Sequence, residues 1–375
     1  VTGPRIVVVG AGVVGAAVAF RLAEGGARVT VVDAGPPGAG TSGTSFAWVN
    51  AFDKPPREYH DLNVAGMEEH ALLAEELGGS WLHRTGNLAW QETPEGRARL
   101  LATVSRLQRW GYELEVLAPE VARELEPELR PGAGTPWMLW MPREAYVDVA
   151  PMIGALLAAA ARAGTRLVTG RRVIRLLCQG SRVGGVALDD DRRINADVVV
   201  NCAGAAAGEL AGLAGAPLPV GGEPGRLVYT APVATTLQRP VHAAGVQFRP
   251  DGGGRVVLSD EAHDLLLARA PDDGWTPHQS LAAAARYLPA LAAARVEATR
   301  VGLRPMPRDR LPIVGSLPGL DGFYTVVSHS GVTLGPLWGR VAAAEILEGK
   351  EDPRLAPFRP SRFQLPLPHP GERAG

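Results

Sequence analysis

Three glycines and one acid near the start of the chain have the types and spacing for phosphate and ribose recognition. Gly10, Gly12 and Gly15 stand at GxGxxG spacing, and Asp33 follows Gly15 by 18 positions. Gly10 permits a tight turn, Gly12 lets the backbone approach a pyrophosphate, and Gly15 permits close helix–strand packing. An acid about 20 residues further on is suited to a ribose 2′-hydroxyl. The elements that must position these groups can be read around them. Ile6–Val9 is a β-branched run suited to a strand buried on both faces, and Val14–Ala23 reads as a small-residue helix. Val29–Val32 reads as a second strand ending at Asp33. Gly12, Val13 and Val14 then stand at a helix N-terminus, where N–H groups and the helix dipole favour phosphate. Strand, glycines, helix, strand and acid in that order predict a dinucleotide site. Ala34 follows the acid with no Arg or Lys before Lys54, which argues against a 2′-phosphate.

Bulk composition excludes several function classes. Lys and Arg number 38 against 39 Asp and Glu, so nothing favours nucleic acid or an anionic membrane face. Two cysteines, Cys178 and Cys202, make neither a disulfide framework nor a four-Cys metal site, and no metal is expected. Cys202 lies in the apolar run VVVNCAG and reads as a small buried hydrophobe. No 18-residue apolar span predicts a membrane crossing. Arg5 and the uncharged stretch after it resemble a signal peptide, but cleavage there would delete the first strand. The expectation is a cytoplasmic protein, with room for a homo-oligomer.

Further along, Ala34–Phe52 is a Gly/Ser/Thr-rich loop, and its Ser42, Thr44 and Ser45 could bring hydroxyls to a ligand. Helices are predicted over Glu58–Leu77, Pro94–Trp110, Pro119–Leu125 and Asp148–Gly164, the last with an N-terminal cap. Trp81–Trp90, Met138–Met141, Arg166–Val168, Val173–Cys178, Val183–Leu188 and Ala196–Asn201 read as strands. The last of these ends in Cys202-Ala203-Gly204, a second nucleotide-side contact point. From Gly225 the pattern becomes period-two over Arg226–Thr230, Val241–Arg249, Arg255–Leu258 and Leu265–Ala268, an antiparallel sheet. Pro277–Tyr287 and Pro289–Ala294 read as helical, followed by strands at Glu297–Leu303, Ile313–Val314 and Gly322–Val327. A final helix is predicted over Leu337–Leu347, and the proline-rich tail from Asp352 as ill-packed or draped on the surface.

Taken together, four blocks make the sequence resemble the D-amino acid oxidase/glycine oxidase/sarcosine oxidase family of FAD-dependent oxidoreductases. They are GAGVVGAAVAFRLAEGGARVTVVDAG, Ala145–Leu176, ADVVVNCAGAAAGEL, and VGLRPMPRDRLPIVG with SHSGVTLGPLWGRVAAAEIL. The resemblance implies an α/β fold in which a Rossmann-type FAD-binding domain interleaves with an antiparallel or mixed-sheet substrate domain. The FAD domain would comprise residues 1–85, 145–215 and 300–350, the substrate domain 86–144 and 216–299, and the tail 351–375. It implies FAD contacts at Gly10, Gly12, Val13, Val14, Gly15, Asp33, Ala34, Ser42, Thr44, Ser45, Val173 (near the adenine), Ala203, Gly204 and Arg304. Ser330, Gly331, Val332 and Thr333 would form the loop and helix start beneath the flavin.

Arg304, in GLRP, matches the arginine that holds the substrate carboxylate in glycine and D-amino acid oxidases. A guanidinium fork suits that task because it fixes a carboxylate bidentately. His329 is a catalytic candidate by its place in the flavin loop, and Tyr229, Gln247 and Arg249 are candidates for lining the substrate pocket. The chain lacks a Cys at Pro305-Met306, where monomeric sarcosine oxidases attach flavin, and has Phe46 where His-linked relatives carry histidine. Non-covalent FAD is therefore expected. The implied activity is oxidation of a small amino acid or N-alkyl amino acid, with electrons passed to O2 or to an accepting partner. The alternatives are a flavin subunit of an amino acid dehydrogenase, an NAD-linked dehydrogenase, and a non-catalytic flavin-binding protein.

Overall fold

A computed structural model describes residues 3–260, 264, 267 and 274–363. The chain begins with β1 (Arg5–Val9), α1 (Val13–Glu24), β2 (Arg28–Val32), β3 (Trp48–Val49) and α2 (Arg57–Leu77). It continues with β4 (Leu82–His83), β5 (Asn87–Trp90), α3 (Pro94–Arg109), β6 (Glu115–Leu117) and α4 (Pro119–Leu125). Next come β7 (Met138–Met141), β8 (Ala145–Val147), α5 (Val149–Arg162), β9 (Arg166–Val168) and β10 (Val173–Gln179). β11 (Arg182–Leu188), β12 (Arg193–Asn195), β13 (Val198–Asn201), α6 (Ala207–Gly212) and β14 (Val220–Thr230) follow. The rest is β15 (Val241–Ala243), β16 (Val246–Pro250), β17 (Val256–Asp260), α7 (Pro277–Ala285) and β18 (Val296–Pro307). It closes with β19 (Ile313–Ser316), β20 (Phe323–Val327) and α8 (Gly331–Glu348).

A six-stranded sheet in the order β19-β20-β13-β1-β2-β9 carries the nucleotide-type turn. It is parallel except for β19. β1 explains why its sequence is apolar without alternation. Ile6 and Val8 enter the core shared with α1 and α8, while Val7 and Val9 enter another core against β11 and α6. α1 and α8 cross at backbone contact, since a Cβ on Gly339 would lie 2.6 Å from the Ala17 carbonyl oxygen. β10, β11 and β12 make a three-stranded antiparallel sheet, and β3, β8 and β4 a second small one.

The fourth sheet has eight strands, β18-β14-β17-β16-β15-β5-β7-β6, antiparallel except for the β15–β5 pair. Its register sorts side chains by face. Val228, Phe248 and Leu258 enter a core with Leu281 and Ala284 of α7. Residues directly opposite one another share a face, so Arg304, Arg300, Tyr229, Gln247 and His242 occupy the other one. The mixed α/β architecture expected from the sequence is the one observed.

Several local expectations change. Val241–Arg249 is a hairpin, not one strand: Ala244 and Gly245 adopt φ 34° and 104° between β15 and β16. α8 starts at Gly331, six residues before the expected Leu337, because Pro336 falls in its early turns without breaking it. β14 extends back to Val220 through a stretch whose glycines and proline conceal a strand. Asp148 precedes α5 but makes no side-chain cap; its carboxylate instead accepts from His83 Nε2 at 2.8 Å. The sequence boundary at 300 falls inside β18, a strand of the eight-stranded sheet. The strand expected over Leu265–Ala268 lies outside the described residues except for Leu267, which is helical.

The start of the tail is not draped loosely. Residues 353–363 form two 3-10 turns whose Leu355 and Phe358 are fully buried in the α1–α8 core. Arg359 makes a two-pronged ion pair with Glu345 at 2.6 and 2.8 Å. The tail beyond Phe363 is outside the described residues. Phe358→Ala should therefore cost about 3–5 kcal/mol, the range for deleting a buried Phe ring. Denaturant unfolding followed by tryptophan fluorescence measures it; a midpoint equal to wild type would show that the ring is not part of the core.

Candidate active site

A cavity of about 690 Å³ opens at the C-terminal edge of the six-stranded sheet. Its floor is the β1–α1 turn. Gly10 has φ 108°, and a Cβ there would sit 2.3 Å from the Cys202 carbonyl oxygen. A Cβ on Gly15 would lie 1.9 Å from the Gly10 carbonyl oxygen, so only glycine lets the helix leave the strand this closely. Asp33 accepts from the Ala11 N–H at 2.6 Å and the Gly35 N–H at 2.8 Å. Its carboxylate is thus fixed at the cavity wall beside Ala34. Ser42 Oγ accepts from the Val13 N–H at 3.1 Å and ties the following loop to the start of α1. The N-termini of both α1 and α8 reach the cavity, through Gly12, Val13 and Val14 and through Gly331 and Val332. Both dipoles favour negative charge there.

Most expected cofactor residues come together here. Gly10, Gly12, Val13, Val14, Asp33, Ala34, Ser42, Thr44, Ser45, Val173, Ala203, Gly204, Gly331 and Val332 all line the cavity. Four expected cofactor residues do not. Gly15 packs under the turn. Ser330 Oγ bonds Tyr59 Oη at 2.7 Å, and Thr333 Oγ1 donates to the Trp48 carbonyl at 3.3 Å, both beneath α8. Arg304 is turned away by the pleat of β18, because its neighbours Leu303 and Pro305 are the residues that face the cavity. Sequence reading missed Arg171 and Arg172, which reach the cavity from the β9–β10 connection, where the Arg171 N–H donates to the Asp33 carbonyl at 3.1 Å. The Arg171 side chain is paired with Asp190 at 2.7 Å.

His329 lines the cavity and is exposed there. Desolvation, and then the cationic Lys54, Arg304 and Arg310, push its pKa down to about 3, so the ring is neutral. Arg304 lies over Gly225, donates to the Pro224 carbonyl at 3.0 Å and approaches Asp264 at 3.5 Å. Tyr229 and Gln247 share its sheet face but do not line the cavity, and Tyr229 sits beneath Arg300, 5.1 Å from ring centre to guanidinium. Arg249 is a buried brace, donating to the carbonyls of Phe46 and Pro250.

Beside this face stands a polar group that no local pattern marks. Trp48 packs against His242 at a tilt of 40° with ring centres 4.0 Å apart, and its Nε1–H donates to Glu144 at 2.8 Å. Tyr112 Oη–H donates to the other Glu144 oxygen at 2.7 Å, and His242 Nδ1 bonds Asn87 at 2.8 Å. Complete burial pushes the Glu144 pKa up to about 8, favouring the protonated carboxyl. Glu144 sits between Arg143 and Ala145 with nothing in the local pattern to mark it. Trp48 and Lys54 fall in the segment AWVNAFDK, whose aromatics were the only visible signal.

The chain matches the model of the FAD dependent oxidoreductase (DAO) family over residues 5–345. It belongs to that family. This FAD dependent oxidoreductase is 30% identical to a glycine oxidase of Pseudomonas aeruginosa over 95% of its own length and 98% of the relative's. It is 27% identical to the uncharacterized oxidoreductase YurR of Bacillus subtilis over 95% and 98% of the two chains. The crystal structure of glycine oxidase from Geobacillus kaustophilus superposes with a TM-score of 0.83 at 26% identity, covering 96% and 99% of the two chains.

The cavity fits FAD on its own terms. Of the nine large hydrophobic side chains exposed among the described residues, Ile174, Leu213, Val301 and Leu303 line it. An apolar ring system covers such a surface, while the glycine turn, two helix N-termini and Asp33 suit the phosphates and ribose.

Two outcomes follow for the oxidoreductase. Asp33→Ala should weaken FAD retention by about 10- to 100-fold, as expected for losing a charge-assisted hydrogen bond, measured by titrating FAD into apoprotein. Unchanged affinity would remove Asp33 from the site. His70 is buried on α2, and its Nε2–H donates to the Val332 carbonyl at 2.8 Å, at the first turn of α8. Desolvation lowers its pKa to about 4. Between pH 6.5 and 4 the unfolded chain therefore binds the proton that the folded chain refuses, and stability falls with acidification by up to about 1.4 kcal/mol per pH unit. His70→Gln should show a shallower loss over that window in denaturant melts; an identical slope would refute the assignment.

Proposed function

We propose that the protein oxidises a small amino acid or N-alkyl amino acid at its C–N bond, with Arg304 holding the substrate carboxylate. The observation that carries this reading is the placement of Arg304. It stands on the polar face of the eight-stranded sheet, close enough to His329 for its charge to act on that ring, and His329 opens into the cofactor cavity. Its fork is only partly committed, with one hydrogen bond to the Pro224 carbonyl and a loose approach to Asp264. A carboxylate can engage the fork bidentately, which orients the reacting C–H bond.

FAD bound in the cavity supplies the hydride acceptor, and the imine product hydrolyses in water. The chain's own residues supply position and field. His329, kept neutral, accepts a hydrogen bond from the substrate amine without adding a positive charge beside it. The N-terminus of α8 favours negative charge developing next to Gly331 and Val332. Non-covalent attachment is supported by Phe46 and by Pro305-Met306, and burial raises the pKa of the cavity-lining Cys202 thiol, leaving it a poor nucleophile.

Arg304→Leu should lower kcat/KM by about 10²-fold or more, chiefly through KM, from loss of the charge-assisted contact. The assay is anaerobic bleaching of the purified yellow protein by a panel of amino acids. Admitting air or an artificial dye afterwards separates an oxidase from a dehydrogenase that passes electrons to a partner. Wild-type kinetics in the variant would overturn the assignment of Arg304.

A further inference from the structure

The Arg304 guanidinium reaches along its sheet face to Gly225 of β14. A Cβ at Gly225 would lie 3.2 Å from Arg304 Nε, 3.3 Å from its Cζ and 3.4 Å from Asp264 Oδ2. A guanidinium and a carboxylate therefore lie together over a residue with no side chain, in room that a larger residue would crowd. The two groups are held differently. Asp264 is buried, and its Oδ1 accepts from the Arg226 N–H at 2.8 Å. Its place is thus set by backbone on β14 and not by Arg304. The Arg304 side chain is 35% exposed. Its Nη2 donates to the Pro224 carbonyl at 3.0 Å, and its Nε is buried without a hydrogen bond among the described residues.

The contact between them is an ion pair without the geometry of a hydrogen bond. Arg304 Nη1 stands 3.5 Å from Asp264 Oδ2, whereas a charge-assisted N–H···O bond closes to about 2.7–2.9 Å. It is close enough for each charge to offset the other, which lowers the cost of a half-buried guanidinium while no ligand is present. An anion that engages Arg304 from its exposed side then meets a cation already neutralised in part from its buried side. Two carboxylates at one guanidinium repel each other. Coulomb repulsion between unit charges about 4 Å apart near a protein surface is large enough to change an affinity by about tenfold or more.

We propose that Asp264 is a built-in competitor for Arg304: it neutralises the guanidinium in the empty site and weakens the hold on every substrate carboxylate, so that its charge sets how tightly amino acids bind. The proposal rests on the reading of Arg304 as the carboxylate site. Its sign is opposite to that of a brace, because a residue that only held Arg304 in place would strengthen carboxylate binding.

The test compares the FAD-loaded wild type with Asp264→Asn, alone and combined with Arg304→Leu. Asparagine keeps an oxygen for the Arg226 N–H and removes the charge. Acetate binding is measured without turnover, by calorimetry and by perturbation of the flavin absorption. Asp264→Asn should lower the acetate Kd by about tenfold and lower KM for an amino acid that bleaches the flavin by a similar factor. Neutral acetamide should not gain in the variant, and in the Arg304→Leu background the asparagine should bring no gain for acetate. Asp264→Ser carries the same prediction should Asp264→Asn fail to retain FAD. Acetate binding and KM that are unchanged or weaker on loss of the Asp264 charge overturn the proposal and make Asp264 a brace. If Arg304→Leu is crippled while loss of the Asp264 charge tightens nothing, only this inference falls. If Arg304→Leu binds and turns over like wild type, the carboxylate site itself is wrong.

Discussion

Close approach of backbone at the β1–α1 turn is the constraint on which the rest of the molecule depends. The Gly10 Cα faces the Cys202 carbonyl and the Gly15 Cα faces the Gly10 carbonyl, both at separations that exclude a Cβ. That approach brings β13 beside β1, directs α1 away from the strand, and leaves the Ala11 N–H facing the Asp33 carboxylate. The wall of the cavity follows from these contacts. The Ser42 loop is tied to the helix start, and Ala203 and Gly204 arrive at the end of β13. No strong interaction is needed at the turn itself. Its contribution is geometric, because it decides where several polar groups can be.

Away from that turn, desolvation governs. Glu144, His242 and His329 are all shifted toward their neutral forms, each with burial as the largest cause. Neutral polar groups can be packed at lower cost than charged ones. The aromatic contact of Trp48 with His242 and the indole hydrogen bond to Glu144 fix these groups relative to one another. Ala47 and Asp53 stand at φ 57° and 50° on either side of these contacts, and bonds from Trp48 to Glu144, from Thr333 to the Trp48 carbonyl and from Arg106 to Asp53 hold the segment in place.

The legible parts of the sequence were those whose signal is local. The β1–α1–β2 unit, the long α2 helix and the Ala203-Gly204 turn each carry their own pattern of glycines and apolar runs, and the structure places them as that pattern requires. Where local and tertiary preferences disagree, the reading failed. Gly331, Gly335 and Pro336 weaken helix propensity, yet α8 begins among them because packing on α1 and α2 supplies the stability. Ala244 and Gly245 make a turn inside an apolar run that looks like one strand. The face direction of Arg304 depended on a register that no sequence pattern reveals, and its neighbours rather than Arg304 itself meet the cavity. Trp48, Glu144 and His242 are separated by up to 194 positions, and only the folded chain brings them together.

The crossing of α1 on α8 at Gly339 has a consequence for how the protein is made. β1 is flanked by β2 and by β13, a strand almost two hundred residues downstream, and β20 completes that side of the sheet later still. The face of α1 that meets α8 is covered once residues 331–348 have been synthesised, and Phe358 joins the same core later. Until then that face of α1 exposes small apolar residues, a surface suited to association with other nascent chains or to capture by chaperones. A chain terminated before Phe358 therefore lacks the ring that packs into the core between α1 and α8.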